Sequence, residues 1–127
     1  MLTVLVADDE FAVLEVLSMA LEGEGHRVLK AGDGADALRV LAGQPCDVVV
    51  CDQMMPVMNG VALVAAMRAD PRLADIPVIM IKDTYGSVSI PDDPDVHMMT
   101  KPVRLTELFL LVSSIAEAKG GPRRKRP

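Results

Sequence analysis

Two rhythms of apolar and polar positions alternate along this chain of 127 residues. Residues 2–7 (LTVLVA) form a continuous, β-branched-rich apolar run, the pattern of a strand buried on both faces. The run ends in Asp8-Asp9-Glu10. From 11 to 22 the rhythm turns helical, with Phe11, Leu14, Leu17, Ala20 and Leu21 at spacings of three and four, until Gly23 and Gly25 stop it. Residues 26–31 predict a second strand, Gly32-Asp33-Gly34 a turn, and 35–41 a short helix with Ala37, Leu38 and Leu41 inward. Residues 47–51 predict a third strand, and Asp52 stands where its apolar run stops. Asn59 is the expected N-cap of a helix over 61–69, broken by Asp70-Pro71. Residues 76–81 (IPVIMI) predict the fourth strand, with Pro77 tolerable at its start because it need not donate there. Residues 96–100 predict the fifth strand. Residues 105–119 predict an amphipathic helix with Leu105, Leu108, Phe109, Val112 and Ile115 on one face. In the connection from 82 to 95, Pro91 and Pro94 exclude a regular helix through that part. Strands alternating with helices imply a parallel sheet with right-handed crossovers and helices on both faces.

Composition narrows the class. Half the residues are hydrophobic and 24% are charged, a globular balance, and the length suits one domain. Aromatics make up only 2%, so the core must be aliphatic side chains and methionine. Cys46 and Cys51 have neither a disulfide framework nor metal-ligand spacing, and are expected as buried free thiols in a reducing cytoplasm. No apolar run approaches a membrane span, and with Met1-Leu2-Thr3 leading directly into a strand no signal peptide is expected. Residues 123–126 are Arg-Arg-Lys-Arg; without those four positive charges the net charge of −5 becomes about −9. An acidic body argues against a nucleic-acid-binding domain. The basic tail, 120–127, is expected as a disordered, solubilising end, with weak attraction to nucleic acid or a membrane surface as the alternative.

Charged residues end three of the strands: Asp8 and Asp9 the first, Asp52 the third, Lys101 the fifth. In a parallel sheet these ends share one edge, where such folds keep their ligand crevices. Clustered carboxylates raise one another's pKa unless a cation joins them, and hard oxygen donors with room for water suit Mg²⁺. A metal beside a carboxylate can take an incoming phosphoryl group, with Lys101 pairing a phosphoryl oxygen.

With VLVADDE at 4–10, Asp52 followed by Met55-Pro56, Met58 and Gly60, then Ile76-Pro77-Val78 and Thr100-Lys101-Pro102, the chain closely resembles the response-regulator receiver domain of two-component signalling. The resemblance covers 2 to about 118 and gives a domain at 1–119. It implies a flavodoxin-like, doubly wound, five-stranded parallel sheet of order 2-1-3-4-5. It also implies that Asp52 is the phosphoacceptor, that Asp8 and Asp9 form the acidic pocket, and that Mg²⁺ is held by Asp9, Asp52 and the backbone carbonyl of Met54, with Asp8 acting through water. Lys101 is the family's lysine, and the peptide bond to the following proline is usually cis. The implied partner is a sensor histidine kinase or a histidine phosphotransfer protein, whose phosphohistidine supplies Asp52.

The sequence departs from the family at its relay. Lys82 stands where the family places Thr or Ser, Met98 where it places an aromatic, and SVSIPDDPD replaces at least part of the fourth helix. If Lys82 points inward it forms an ion pair with Asp52 and weakens metal dependence; otherwise it snorkels outward and does nothing at the site. Met54 and Thr84 sit where family members tune the lifetime of the phosphoryl group, and an apolar Met54 implies slow self-dephosphorylation. The cluster Met54, Met55 and Met58 reads as loop packing, and Asp92, Asp93 and Asp95 as a solvated turn.

No output domain is expected after the last helix. The chain is therefore expected to act as a single-domain receiver that signals through a downstream protein partner, with a homodimer possible. The alternative is a phosphorylation-independent, receiver-like adaptor. A small Mg²⁺-dependent phosphoester hydrolase is disfavoured, since Met54 stands where its general acid would be and there is no cap domain.

Overall fold

The computed structural model describes residues 1–83 and 93–118. Nine elements run in the order β1 (Thr3–Ala7), α1 (Phe11–Gly23), β2 (Arg27–Ala31), α2 (Gly34–Gly43), β3 (Val48–Asp52), α3 (Gly60–Ala69), β4 (Val78–Lys82), β5 (Val96–Thr100) and α4 (Leu105–Ala118). All four strand pairings are parallel and the sheet order is β2-β1-β3-β4-β5. This is the doubly wound order expected from the sequence. The segment 84–92, where an irregular connection is expected in place of a helix, lies outside the described residues, as does the basic tail.

Strand pleating sorts the core into two layers. Val4, Val6, Val48, Val50, Ile79 and Ile81 face α1 and α4, where Leu14, Leu17, Leu21, Leu108, Val112 and Ile115 cover them. Leu5, Val49, Cys51, Val78 and Met80 face α2 and α3, meeting Ala37, Leu41, Leu63 and Met67. Odd and even positions of β3 therefore point to opposite layers, and every residue of that strand is buried. Burial on both faces is why β1, β3 and β4 read as unbroken apolar runs rather than alternating ones. Both cysteines are free and buried, and burial pushes the Cys51 thiol up to about 12, which leaves it protonated and inert.

Local chemistry fixes the boundaries. Pro77 gives β4 no donor, yet its carbonyl accepts the Val49 N–H at 3.0 Å, and the strand starts at Val78, two residues into the apolar run. Asp33 and Asn59 cap α2 and α3 by accepting the N–H groups of Asp36 and Ala62 at 2.7 and 2.9 Å. Between β3 and α3 the chain turns through Val57, a β-branched residue at φ +67°.

Two expectations from periodicity are corrected. Phe11 is 75% exposed and Ser18 takes the buried place in α1, because the helix begins at Phe11 and its first turn overhangs the sheet edge. Leu105 is likewise exposed at the start of α4. The acidic turn before β5 is not fully solvated either. Asp93 Oδ2 accepts from Arg68 Nε at 2.6 Å, with both side chains largely covered, and Arg68 also donates to the Ile76 carbonyl at 2.8 Å. Burial pushes the Asp93 carboxyl up, but the Arg68 guanidinium and the Asp95 amide outweigh it and leave it below the usual carboxylate range. This bridge ties α3 to the entries of β4 and β5.

Gly34 sets the distance between α2 and the β3–α3 loop. Its N–H donates to the Met58 carbonyl at 3.1 Å, and a Cβ there would overlap that carbonyl oxygen and press on the Met58 side chain. Gly34→Ala is expected to cost about 1–3 kcal/mol, the usual penalty for overpacking. The urea midpoint should fall with an unchanged m-value.

Candidate functional site

The C-terminal edge of the sheet gathers the charged strand ends. Asp8 follows β1, its N–H donating to the Ala31 carbonyl at 3.1 Å, so the ladder with β2 continues through its backbone. Its side chain is buried and Oδ1 accepts the Glu10 N–H at 2.9 Å. Asp52 is the last residue of β3 and is also buried. Asp52 Oδ1 accepts the Met54 N–H at 3.1 Å, and Oδ2 accepts from Lys101 Nζ at 3.0 Å. The Lys101 N–H donates to the Lys82 carbonyl at 2.8 Å, which anchors the base of that side chain beside β4, and the Lys101–Pro102 peptide bond is cis. Asp9 is exposed at the mouth. One carboxylate oxygen from each of Asp8, Asp9 and Asp52 lies within 4.8 Å of the others.

A fourth carboxylate joins them. Asp83 Oδ1 stands 3.5 Å from Lys101 Nζ. Sequence reading passed over Asp83, although it too directly follows a strand of the parallel sheet. Four carboxylates thus surround the one ammonium that pairs with Asp52 among the described residues. The electrostatics follow from this imbalance. Burial pushes the Asp8 carboxyl up, the charges of Asp52 and Asp9 add to it, and the Glu10 amide and Lys101 only partly oppose them. Burial disfavours the charged Lys101, but its hydrogen bond to Asp52 and the charges of Asp52, Asp83 and Asp8 hold its pKa above the ordinary lysine value. An all-oxygen donor set with excess negative charge fits a hard divalent cation such as Mg²⁺, and Asp8, Asp9 and Asp52 are the side chains that would hold it.

Of the two placements open for Lys82, the inward one with a Lys82–Asp52 ion pair is not the one found; Lys101 fills that place. Parity explains it. Asp52 is in register with Ile81, and Ile81 packs in the α1/α4 layer. Lys82 is the next residue and so leaves the sheet on the side of Met80 and Met98, in the α2/α3 layer. No ion pair joins Lys82 to a carboxylate among the described residues. Met98 packs half-buried against that same layer. Gln53, next in line after Asp52, is 1% exposed with neither amide atom hydrogen-bonded among the described residues. Met54 uses its N–H on Asp52 while its side chain is 58% exposed, and Met55 is buried, so only part of the methionine cluster is loop packing. Thr84 lies outside the described residues.

Beside the pocket, a groove of about 990 Å³ runs between α1 and the β5–α4 connection. Val13, Val16, Leu17 and Val103 give it apolar walls, and Lys101 and Asp83 line it as well as the charged pocket.

Sheet order and edge chemistry together define a flavodoxin-like α/β domain with an acidic, cation-binding type of pocket at the strand ends. A family model described as the response regulator receiver domain matches residues 4–112, and the chain belongs to that family. Receiver domains serve two-component signalling and generally bind Mg²⁺ at an acidic pocket of this kind. The chain is 33% identical over 123 residues to the "Probable transcriptional regulatory protein TcrX" of Mycobacterium tuberculosis, covering 93% of this chain and 51% of that protein. It is 33% identical over 87 residues to the DNA-binding response regulator MtrA of Mycobacterium leprae, covering 68% of this chain and 37% of that one. The chain therefore spans about half or less of these two curated relatives. Among solved structures, a Francisella response regulator receiver domain superposes with a TM-score of 0.80 at 28% identity, covering 94% of this chain and 99% of that one. The chemotaxis response regulator CheY4 of Vibrio cholerae gives 0.77 at 26%, covering 91% and 98%. No helix among the described residues is long and apolar enough to cross a membrane.

Two outcomes follow from the charge imbalance. Asp8→Asn removes a carboxylate whose ionisation is opposed in the folded state, so near neutral pH without divalent cations it should raise stability by about 1 kcal/mol, or roughly 4 °C in Tm. The gain should shrink in saturating Mg²⁺, when a calorimetric scan of wild type also carries the stabilisation of the bound ion. Lys82→Thr should leave the Mg²⁺ dissociation constant within about two-fold of wild type at 0.15 M salt, since the ammonium leaves the sheet on the opposite face. A five-fold tightening in that titration would put the Lys82 charge in the pocket after all.

Proposed function

We propose that the chain accepts a phosphoryl group on Asp52 from the phosphohistidine of a histidine kinase or histidine phosphotransfer protein. The observation that carries this reading is the convergence of Asp8, Asp9 and Asp52 on one another, with Lys101 3.0 Å from Asp52. A carboxylate oxygen of Asp52 attacks phosphorus, the phosphorus–nitrogen bond to the imidazole breaks, and the freed imidazole leaves with the electron pair of that bond. Lys101 neutralises the oxygen charge that moves into the pocket, and the Met54 N–H holds the other end of the carboxylate in line. When bound, Mg²⁺ supplies positive charge that offsets repulsion between the acidic pocket and the incoming phosphoryl group. Asp9, Asp52 and the Met54 carbonyl are proposed to hold it, with Asp8 acting through water.

The groove beside Lys101 supports a partner that presents its histidine from a helical surface. Its walls are apolar and Lys101 belongs to both groove and pocket, so a helix seated there brings a side chain to Asp52. Signalling then proceeds by binding a protein partner. Cytoplasmic placement agrees with a donor of this kind. Lys82 in place of the hydroxyl residue and Met98 in place of the aromatic support a signalling route other than the family's hydroxyl-and-ring relay.

Intact mass after incubation with a small-molecule phosphodonor and Mg²⁺ tests the reading. One acid-stable, hydroxylamine-labile adduct is expected on wild type and none on Asp52→Ala; Lys101→Ala should lower its yield at least ten-fold. No adduct on wild type, with a control receiver labelled in parallel, would instead favour a phosphorylation-independent adaptor.

A further inference from the structure

The Lys101 ammonium has two carboxylate neighbours of different character. Asp52 Oδ2 lies at 3.0 Å on a side chain only 4% exposed, and Asp83 Oδ1 at 3.5 Å on one 61% exposed. Pleating accounts for the arrangement. Lys82 ends β4 on the α2/α3 side, so Asp83 returns to the side of Ile81, which is also the side of Asp52 and Lys101. Asp83 therefore sits at the rim, on the solvent side of the only cation that Asp52 engages among the described residues.

Resting on the reading of Asp52 as phosphoacceptor, we infer that Asp83 is a positioning residue that competes with the phosphoryl group for Lys101. It loosens the pocket's hold on that group and tightens its hold on a divalent cation. The two effects have opposite signs for one reason. An ammonium offers three N–H donors but a single charge, and a carboxylate 3.5 Å away neutralises part of that charge. An incoming phosphoryl group, itself anionic, then meets a weakened cation and an added anion. A metal ion meets an added anion and a weakened repulsion. Asp8 and Asp9 lie on the β1 side of Asp52, whereas Asp83 and Lys101 follow the adjacent strands β4 and β5, and Asp83 is the carboxylate besides Asp52 within ion-pair distance of Lys101 among the described residues. The groove places Asp83 beside the approach as well, since it lines the groove together with Lys101 and Glu10. An exposed ion pair has a modest effect, so changes of about three-fold are expected rather than orders of magnitude.

The test is Asp83→Asn, which keeps the shape and removes the charge, beside Asp83→Glu, which keeps the charge. Beryllium trifluoride, a phosphoryl mimic, is titrated at saturating Mg²⁺, and Mg²⁺ is titrated alone. Asp83→Asn should bind the mimic about three-fold more tightly and Mg²⁺ about three-fold more weakly, both differences narrowing in 1 M salt. Asp83→Glu should stay near wild type. Equal affinities for both ligands in Asp83→Asn and wild type overturn the inference, and so does a loss of both, which would mark a structural role. Wild type that binds Mg²⁺ but neither the mimic nor a phosphoryl group would sink the reading of Asp52. The Mg²⁺ arm would then decide whether the Asp83 charge acts on the pocket.

Discussion

One ammonium among four carboxylates governs this domain. Lys101 reaches Asp52 and Asp83, and Asp8 and Asp9 complete a cluster in which carboxylates outnumber the paired ammonium among the described residues. Like charges at this spacing repel one another, and that repulsion opposes the compact state. The imbalance fits a divalent cation, and in the proposed reading that cation would offset the repulsion an incoming phosphoryl group meets. Burial sharpens the effect, since Asp8 and Asp52 are nearly inaccessible and feel little screening.

The sheet is the instrument that creates this cluster. Asp8, Asp52, Asp83 and Lys101 come from three separate strand ends besides β4, dispersed over most of the chain, and only a parallel arrangement brings those ends to one edge. Backbone hydrogen bonds continue a residue beyond the strands, from Asp8 to Ala31 and from Lys101 to Lys82, so the charged side chains leave from fixed points. The buried valines of β1 and β3 and the Arg68–Asp93 bridge keep those points in place. Positioning by a rigid scaffold is what holds the 3.0 Å contact between Lys101 and Asp52.

Much of this was legible in the residues. The strands announce themselves as unbroken apolar runs because both faces are covered, and Asp8, Asp9, Asp52 and Lys101 each stand where a run stops. The less legible parts share a physical cause. Phe11 fits the helical period of α1 but lies in a first turn with no sheet beneath it, and periodicity reports a face without its extent. Lys82 and Asp83 are neighbours in sequence with opposite fates, and which of them stands on the side of Asp52 and Lys101 depends on pleat register across β3 and β4. Arg68 and Asp93 lie 25 positions apart in different elements, with no pattern to link them before the chain folds.

The parity of β4 also has an evolutionary reading. Any substitution at 82 or 83 changes one side chain on one face, and the sheet accepts it locally. Deleting or inserting a single residue within β4 would instead exchange the two faces for everything after it. The lysine would swing toward the phosphoacceptor, and Ile81 would lose its place among the valines. Substitution at 82 or 83 thus alters the chemistry of one face, whereas a change in the number of residues between Pro77 and Asp83 alters which face each side chain meets.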